Sequence, residues 1–173
     1  MTNNKKRIPL HRLSKPIGRT LAMQFLFQFD MINEDFDESS LVRFFKKLDL
    51  EDIYPTTVKE NRKGRRYASK LIYGCIENLE VIDRCIGRFL AKDWTWERIA
   101  PVDKAILRVA AYEMLFDRNI PPVVVINEAV EISKKFGAYE SKAFINAVLN
   151  NIKNHLNEIR KEFGITFENS DKS

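Results

Sequence analysis

Apolar residues recur at helical spacing along most of the chain, and nowhere do apolar and polar positions alternate as a half-buried strand requires. The first set is Leu21, Met23, Phe25, Leu26 and Phe29, behind Pro16, which suits the first turn of a helix. Asn33 to Asp37 reads as a loop. Ser39 or Ser40 is placed to cap a short helix carrying Leu41, Phe44, Phe45 and Leu48, after which Tyr54 and Pro55 break the chain. Tyr67, Leu71, Ile72, Cys75, Ile76 and Leu79 mark the next helix, and Ile82, Cys85, Ile86, Phe89 and Leu90 another with Asn78 at its cap. Trp94 and Trp96 fall in a connector and are expected to plug the edge of the core. Pro101 opens a strong helix carrying Ile106, Leu107, Ala110, Ala111, Met114 and Leu115, and Pro121 and Pro122 punctuate its end. The run from Val123 to Ile126 alone fits a strand, but the pattern continues through Ala129, Val130, Ser133 and Phe136 to Gly137, a helix with a glycine stop. Ser141 lies near the start of a last long helix carrying Phe144, Ala147, Val148, Asn151, Ile152, His155 and Ile159, which Gly164 ends. The pattern predicts an all-α bundle of about seven helices joined by short loops.

A length of 173 residues favours one domain, or at most two small subdomains sharing a core, and 45% hydrophobic residues suffice to fill it. No run of 18 apolar residues offers a membrane span, and the basic N-terminus lacks the apolar stretch of a secretory signal. Cys75 and Cys85 stand ten apart with no metal-ligand pattern around them and read as small buried hydrophobes. These features point to a cytoplasmic protein. The net charge of +5 is unevenly spread: Lys5, Lys6, Arg7, Arg12, Lys15 and Arg19 all precede the first acid, Asp30. The chain therefore divides into a flexible basic arm over residues 1–14, one helical domain over 15–165 and a polar tail over 166–173. A basic arm on a near-neutral body suits a polyanion partner, though a solubilising tail has the same composition. A second basic cluster, Lys59 to Arg66, opposes the dipole at a helix start and is better placed before a helix or on a solvated extra turn. It reads either as a phosphate contact or, by preference, as a solvated face.

The chemistry of an enzyme has no visible carrier. Of the two histidines, His11 lies in the arm and His155 near the end, and neither sits in a metal-binding pattern. There is no CxxC pair, glycine-rich phosphate loop or nucleophile elbow, so no catalytic residue, metal or cofactor is expected. Arg108 interrupts the apolar stretch 105–111 and must reach acceptors or the surface. The structural reading pairs it with Glu128 or another carboxylate of the following helix. The functional one presents it to RNA or a protein. Asn127 and Asn146 lie in apolar stretches and read as buried packing amides. Phe144 reads as core or, if exposed, as a platform for an unpaired base.

Three ordered blocks carry a family resemblance: PVDKAILRVAAYEML at 101–115, IPPVVVINEAVEISKKFG at 120–137 and SKAFINAVL at 141–149. They resemble the NusB family. A weaker match covers residues 15–30, where Arg19, Gln24 and Phe27 fall at the places of a family arginine, glutamine and tyrosine. The resemblance implies an all-helical fold of two packed subdomains and a role without catalysis. That role is to bind boxA-type single-stranded RNA of ribosomal RNA leaders jointly with the ribosomal protein NusE. The complex joins the transcribing RNA polymerase and prevents premature termination. The implied RNA surface is Arg12, Lys15, Arg19, Arg108 and Phe144, and the implied NusE surface Phe27, Phe89, Glu97, Asp103 and Glu140. The chain departs from the family pattern at Pro16 and Gly18, inside the usual arginine run, at Phe27 for tyrosine, at Ala147 for glycine and at Asn150 for aspartate. Two other readings stay open, a protein scaffold and a stand-alone module related to the front domain of RNA cytosine methyltransferases. With the chain ending at Ser173, no methyl-donor domain is expected. A homodimer also stays open.

Overall fold

A computed structural model describes residues 13–33, 35–48 and 58–167. The described residues form eight α-helices and one 3-10 turn, with no strand among them, in agreement with the all-α expectation. The chain divides into two compact units, Met1–Gly74 and Cys75–Ser173.

In the first unit α1 is Ser14–Ile32, α2 is Glu38–Lys47, and α3, Val58–Glu77, carries the unit boundary near its end. Helix α1 begins at Ser14, inside the segment read as an arm. Pro16 lacks the N–H that a first turn leaves unbonded anyway, and its carbonyl accepts the Thr20 hydroxyl at 3.1 Å. The cap of α2 is Asp37 rather than Ser39 or Ser40. Asp37 has the extended backbone a cap requires, and its carboxylate accepts the Ser39 N–H and, at 2.7 Å, the Ser39 hydroxyl. Those bonds hold the Asp37 carboxyl below its usual range. Rings join the helices: Phe25 of α1 meets Phe44 of α2 edge-on at 5.4 Å, and Phe36 meets Tyr73 of α3 at 5.4 Å.

The basic run 59–66 lies inside α3, not ahead of it. Packing explains the difference: Asn61, Gly64, Ala68, Leu71 and Ile72 are buried along its other face, which outweighs the unfavourable charge near the helix start. Helices α1 and α3 come close at two glycines. A Cβ on Gly64 would stand 2.6 Å from Ile17 Cγ2, and one on Gly18 would stand 2.7 Å from Tyr67 Cδ1. Gly18, a departure within the family's arginine run, is thus required by packing.

In the second unit α4 is Leu79–Gly87, a 3-10 turn spans Trp96–Arg98, α5 is Pro101–Phe116, α6 is Pro122–Phe136, α7 is Ser141–Asn154 and α8 is Leu156–Glu162. Helix α5 is buried continuously from Ala105 to Ala111 and packs against α4, α6, α7 and α8. Its C-terminal carbonyls are taken by Arg160 of α8, which donates to Leu115 O at 3.1 Å and Met114 O at 2.6 Å. The single last helix expected from the pattern is two. The break is at His155, whose backbone leaves helical geometry and whose Nδ1 sits 2.9 Å from the Asn151 carbonyl. Gly137 does end α6; a Cβ there would lie 2.8 Å from both the Ser133 carbonyl and the Ser141 side chain. Cys75 and Cys85 are buried as expected, and burial pushes both thiols up, Cys85 to about 12. Asn127 and Asn146, by contrast, are exposed, because they fall on the outer faces of α6 and α7; the Asn150 amide donates to the Asn146 carbonyl at 2.8 Å.

Gly64→Ala should test the α1–α3 approach. Alanine gains about 1 kcal/mol of helix propensity, while overpacking against buried Ile17 costs about 1–3 kcal/mol. A net loss of about 1 kcal/mol in urea unfolding is expected; equal or higher stability would show that the approach is not tight.

Candidate nucleic-acid interface

In the first unit, positive charge gathers on one aromatic ring. Helix α1 supplies Lys15 and Arg19, one turn apart, and α3 supplies Tyr67 and Lys70. The Lys15 ammonium lies 5.7 Å, the Arg19 guanidinium 5.8 Å and the Lys70 ammonium 5.9 Å from the centre of the Tyr67 ring. Lys15 and Lys70 are exposed and Tyr67 is half-buried, whereas Arg19 retains 4% of its exposure. Arg19 is thus part of the packing as well as of the cationic group. Arg12 lies outside the described residues. Tyr67 and Lys70 escaped sequence reasoning, although a tyrosine directly behind a basic run was a usable signal.

In the second unit, Arg108 is buried at 4% and forms a two-pronged pair with Asp83 of α4: Nε donates to Oδ1 and Nη2 to Oδ2, both at 2.8 Å. This carboxylate stands on the preceding helix, whereas the sequence points to Glu128 or another acid of the following one. Burial of α5 on all sides leaves Arg108 facing α4, where Asp83 stands. The guanidinium also lies over Trp96, 5.2 Å from its centre, and Lys104, one turn earlier, lies 5.3 Å from the same ring. Phe144 of α7 is half-buried and stacks on Trp94, with centres 5.2 Å apart and planes 24° from parallel. Trp94 is 44% exposed, so it does not plug the core edge, whereas Trp96 is half-buried. Trp94 is held by the Phe144 ring and Trp96 by two cations. Their W-x-W spacing was visible, but nothing in it revealed which partners they take.

The five residues read as a protein-binding surface differ in their surroundings. Phe27 is half-buried in the first unit. In the second, Phe89 is half-buried against His155, with ring centres 5.3 Å apart. Glu97 is exposed, and its own backbone N–H and the Thr95 hydroxyl hold its carboxyl below the usual range. Glu140 is exposed at the N-cap of α7, beside Tyr139, which is 96% exposed and was not singled out from the sequence. Asp103 is buried: Ser141 Oγ donates to Oδ2 at 2.9 Å, while Oδ1 has no hydrogen-bond partner among the described residues. Burial raises its carboxyl above the ordinary value, against the lowering by Ser141. Ser141 Oγ also accepts the Ala138 N–H at 3.0 Å, so Asp103 fixes the turn that carries Tyr139 and Glu140. Among the described residues no group of His, Cys, Asp and Glu is placed to hold a metal, and no helix is long and apolar enough to cross a membrane.

Fold and surfaces define an all-helical protein that sets cations against aromatic faces in each of its units. The family model described as "NusB family" matches residues 17–154. A transcription antitermination protein NusB from Bacillus thuringiensis is 41% identical over 144 residues, which is 83% of this chain and all of the relative. A solved structure of T. maritima NusB is similar at 33% identity and a TM-score of 0.64, over 90% of this chain and 99% of that one. The same helical fold recurs, at 22% identity and a TM-score of 0.64, in antitermination factor NusB crystallised with NusE and double-stranded RNA, over 87% of this chain and 98% of that one. The chain belongs to the NusB family.

Two expectations follow from the second unit. The Arg108–Asp83 pair should show a coupling of about 1–3 kcal/mol in a double-mutant cycle of Arg108→Ala and Asp83→Ala followed by urea unfolding. Additive losses would mean that Arg108 is held by other groups. Asp103 makes stability depend on pH. Its folded value lies above its unfolded one, so the help that protonation gives to folding is present at low pH and lost as pH rises through the raised value. Asp103→Asn should flatten the decline in stability from about pH 4 upward; an unchanged decline would place its source elsewhere.

Proposed function

We propose that this protein binds RNA without catalysing a reaction, and that it acts in transcription antitermination as its relatives are named. The finer reading is that it takes boxA-type single-stranded RNA of ribosomal RNA leaders jointly with NusE. The pair then joins the transcribing RNA polymerase and prevents premature termination. One observation carries the proposal: Lys15, Arg19 and Lys70 converge on the half-buried ring of Tyr67. The exposed members of this group, Lys15 and Lys70, offer positive charge to phosphates, which positions RNA without reading its sequence. Base preference then falls to surface aromatics, since unpaired bases stack on rings. The Phe144–Trp94 stack and Trp96 are such rings, and Asn127 and Asn146, exposed rather than packed in the core, add polar edges. For NusE, Tyr139 and Glu140 of the second unit offer an exposed aromatic beside an acid, with Phe89 and Glu97 as further contacts there; Phe27, in the first unit, is a separate contact. Asp103 acts behind that surface by fixing the turn. The similarity to a NusB chain crystallised with NusE and RNA supports the choice of partners.

The test is titration of fluorescent boxA RNA and a scrambled control, each with and without NusE, over a range of salt. Tighter binding to boxA, tightened further by NusE, is expected. Lys15→Gln should reduce the slope of log affinity against log salt by about 0.7, the share of one phosphate contact on single-stranded RNA. Weak, equal binding to both RNAs that NusE leaves unchanged would defeat the reading. Binding to NusE with no effect on RNA would favour the scaffold.

A further inference from the structure

We propose that the exposed basic face of α3 is a second phosphate-binding track, continuous with the α1 cluster, so that a longer RNA passes Lys15 and Tyr67 and continues along α3. The inference rests on the RNA-binding reading and names where the rest of the RNA backbone goes. Lys59, Arg62, Lys63, Arg66 and Lys70 are all exposed. At the turn of an α-helix they fall within an arc of about 100° and cover roughly 16 Å of its length. The opposite side carries Asn61, Gly64, Ala68, Leu71 and Ile72, all buried, so α3 is divided lengthwise into a core face and a cationic face. No acid interrupts the cationic face. Glu60, the one acid between Lys59 and Lys70, is 5% exposed and pairs with Lys63 at 3.6 Å.

A face made only for solubility gains from mixed signs, because opposite charges one turn apart support a helix and like charges weaken it. Here Lys59 and Lys63, Arg62 and Arg66, and Arg66 and Lys70 are like charges four residues apart. Lys59 also lies in the first turn, where the dipole disfavours positive charge. A bound polyanion relieves both penalties. The apolar side of α3 is already buried, which leaves it no face to insert into a lipid surface and favours a polyanion in water. Lys70 joins the two parts: it is the last cation of the stripe and one of the three around Tyr67.

The test is the triple variant Lys59→Gln/Arg62→Gln/Arg66→Gln, which leaves the Tyr67 group intact. It is titrated with a short RNA and with a longer RNA containing it, over a range of salt. The wild type should bind the longer RNA more tightly and with a steeper salt slope. The variant should lose that advantage, with a slope shallower by about 2 for three contacts, while binding the short RNA as the wild type does. Its melting temperature at low salt should not fall, since repulsion has been removed. The charge-keeping variant Arg62→Lys/Arg66→Lys should retain the slope. Unchanged affinity and slope in the triple variant would make the face merely solvated and overturn the proposal. A slope lost in the charge-keeping variant would overturn the charge argument. A wild type that binds neither RNA would overturn the RNA-binding reading itself, and this inference with it.

Discussion

The first unit depends on how closely α1 and α3 approach. With Gly18 and Gly64 at the crossing, Ile17 and Tyr67 occupy space that side chains at those positions would otherwise fill. Because the helices meet there, the ring of one reaches the cations of the other. Arg19 keeps almost no exposure, and moving a guanidinium out of water is costly unless something compensates. Its position over the Tyr67 ring contributes on the order of 0.5–2 kcal/mol toward that cost. The same approach turns the basic side of α3 outward along its length. Packing at two glycines thus sets how the α1 cations meet the Tyr67 ring.

In the second unit the corresponding constraint is a charge in a buried helix. Helix α5 has buried residues on all sides, yet carries Arg108 at its centre. Both prongs of the guanidinium are engaged by Asp83, so an approaching phosphate would compete with a carboxylate already in place. The arginine is therefore better suited to fixing Trp96, over which it lies, than to meeting RNA by itself. Lys104 lies on the same ring and keeps part of its surface in water, which makes it the more accessible cation of the two. The pair links α4 to α5 and holds an aromatic surface at once.

The helices were legible in the sequence wherever a long apolar face was buried, as in α1, α5 and α6, because helical periodicity records burial directly. Short-range competition was harder to read. Asp37 and two serines all favour a cap, and only the backbone decides among them. The basic start of α3 looked unsuited to a helix because charge was visible in the sequence and the packing of Gly64 against Ile17 was not. His155 divides the last helix through a local contact that apolar spacing does not register. For the candidate site, Lys15, Arg19, Arg108 and Phe144 were singled out by charge, position and resemblance, but what each faces was not. A guanidinium on an apolar helix has several carboxylates within sequence reach, and the fold selects Asp83 from the preceding helix. Asn127 and Asn146 were assigned to the core because their neighbours are apolar, while the helical turn carries both to the outside.

Burial also divides the labour among the cations. The salt dependence of RNA binding reports phosphates neutralised by cations that release counterions, and that requires side chains in water. Lys15 and the α3 stripe satisfy this; Arg19 and Arg108, nearly buried and engaged within the protein, do not. On the proposed function, the two arginines would act chiefly through the rings they hold, Tyr67 and Trp96. Stacking on a ring is tolerant of salt and sensitive to how the ring is oriented. On the proposed function, salt should therefore act mainly through the first unit, whereas base preference should respond to the rings of the second. Arg19 would then serve by supporting an aromatic surface, with Pro16 and Gly18 beside it on α1.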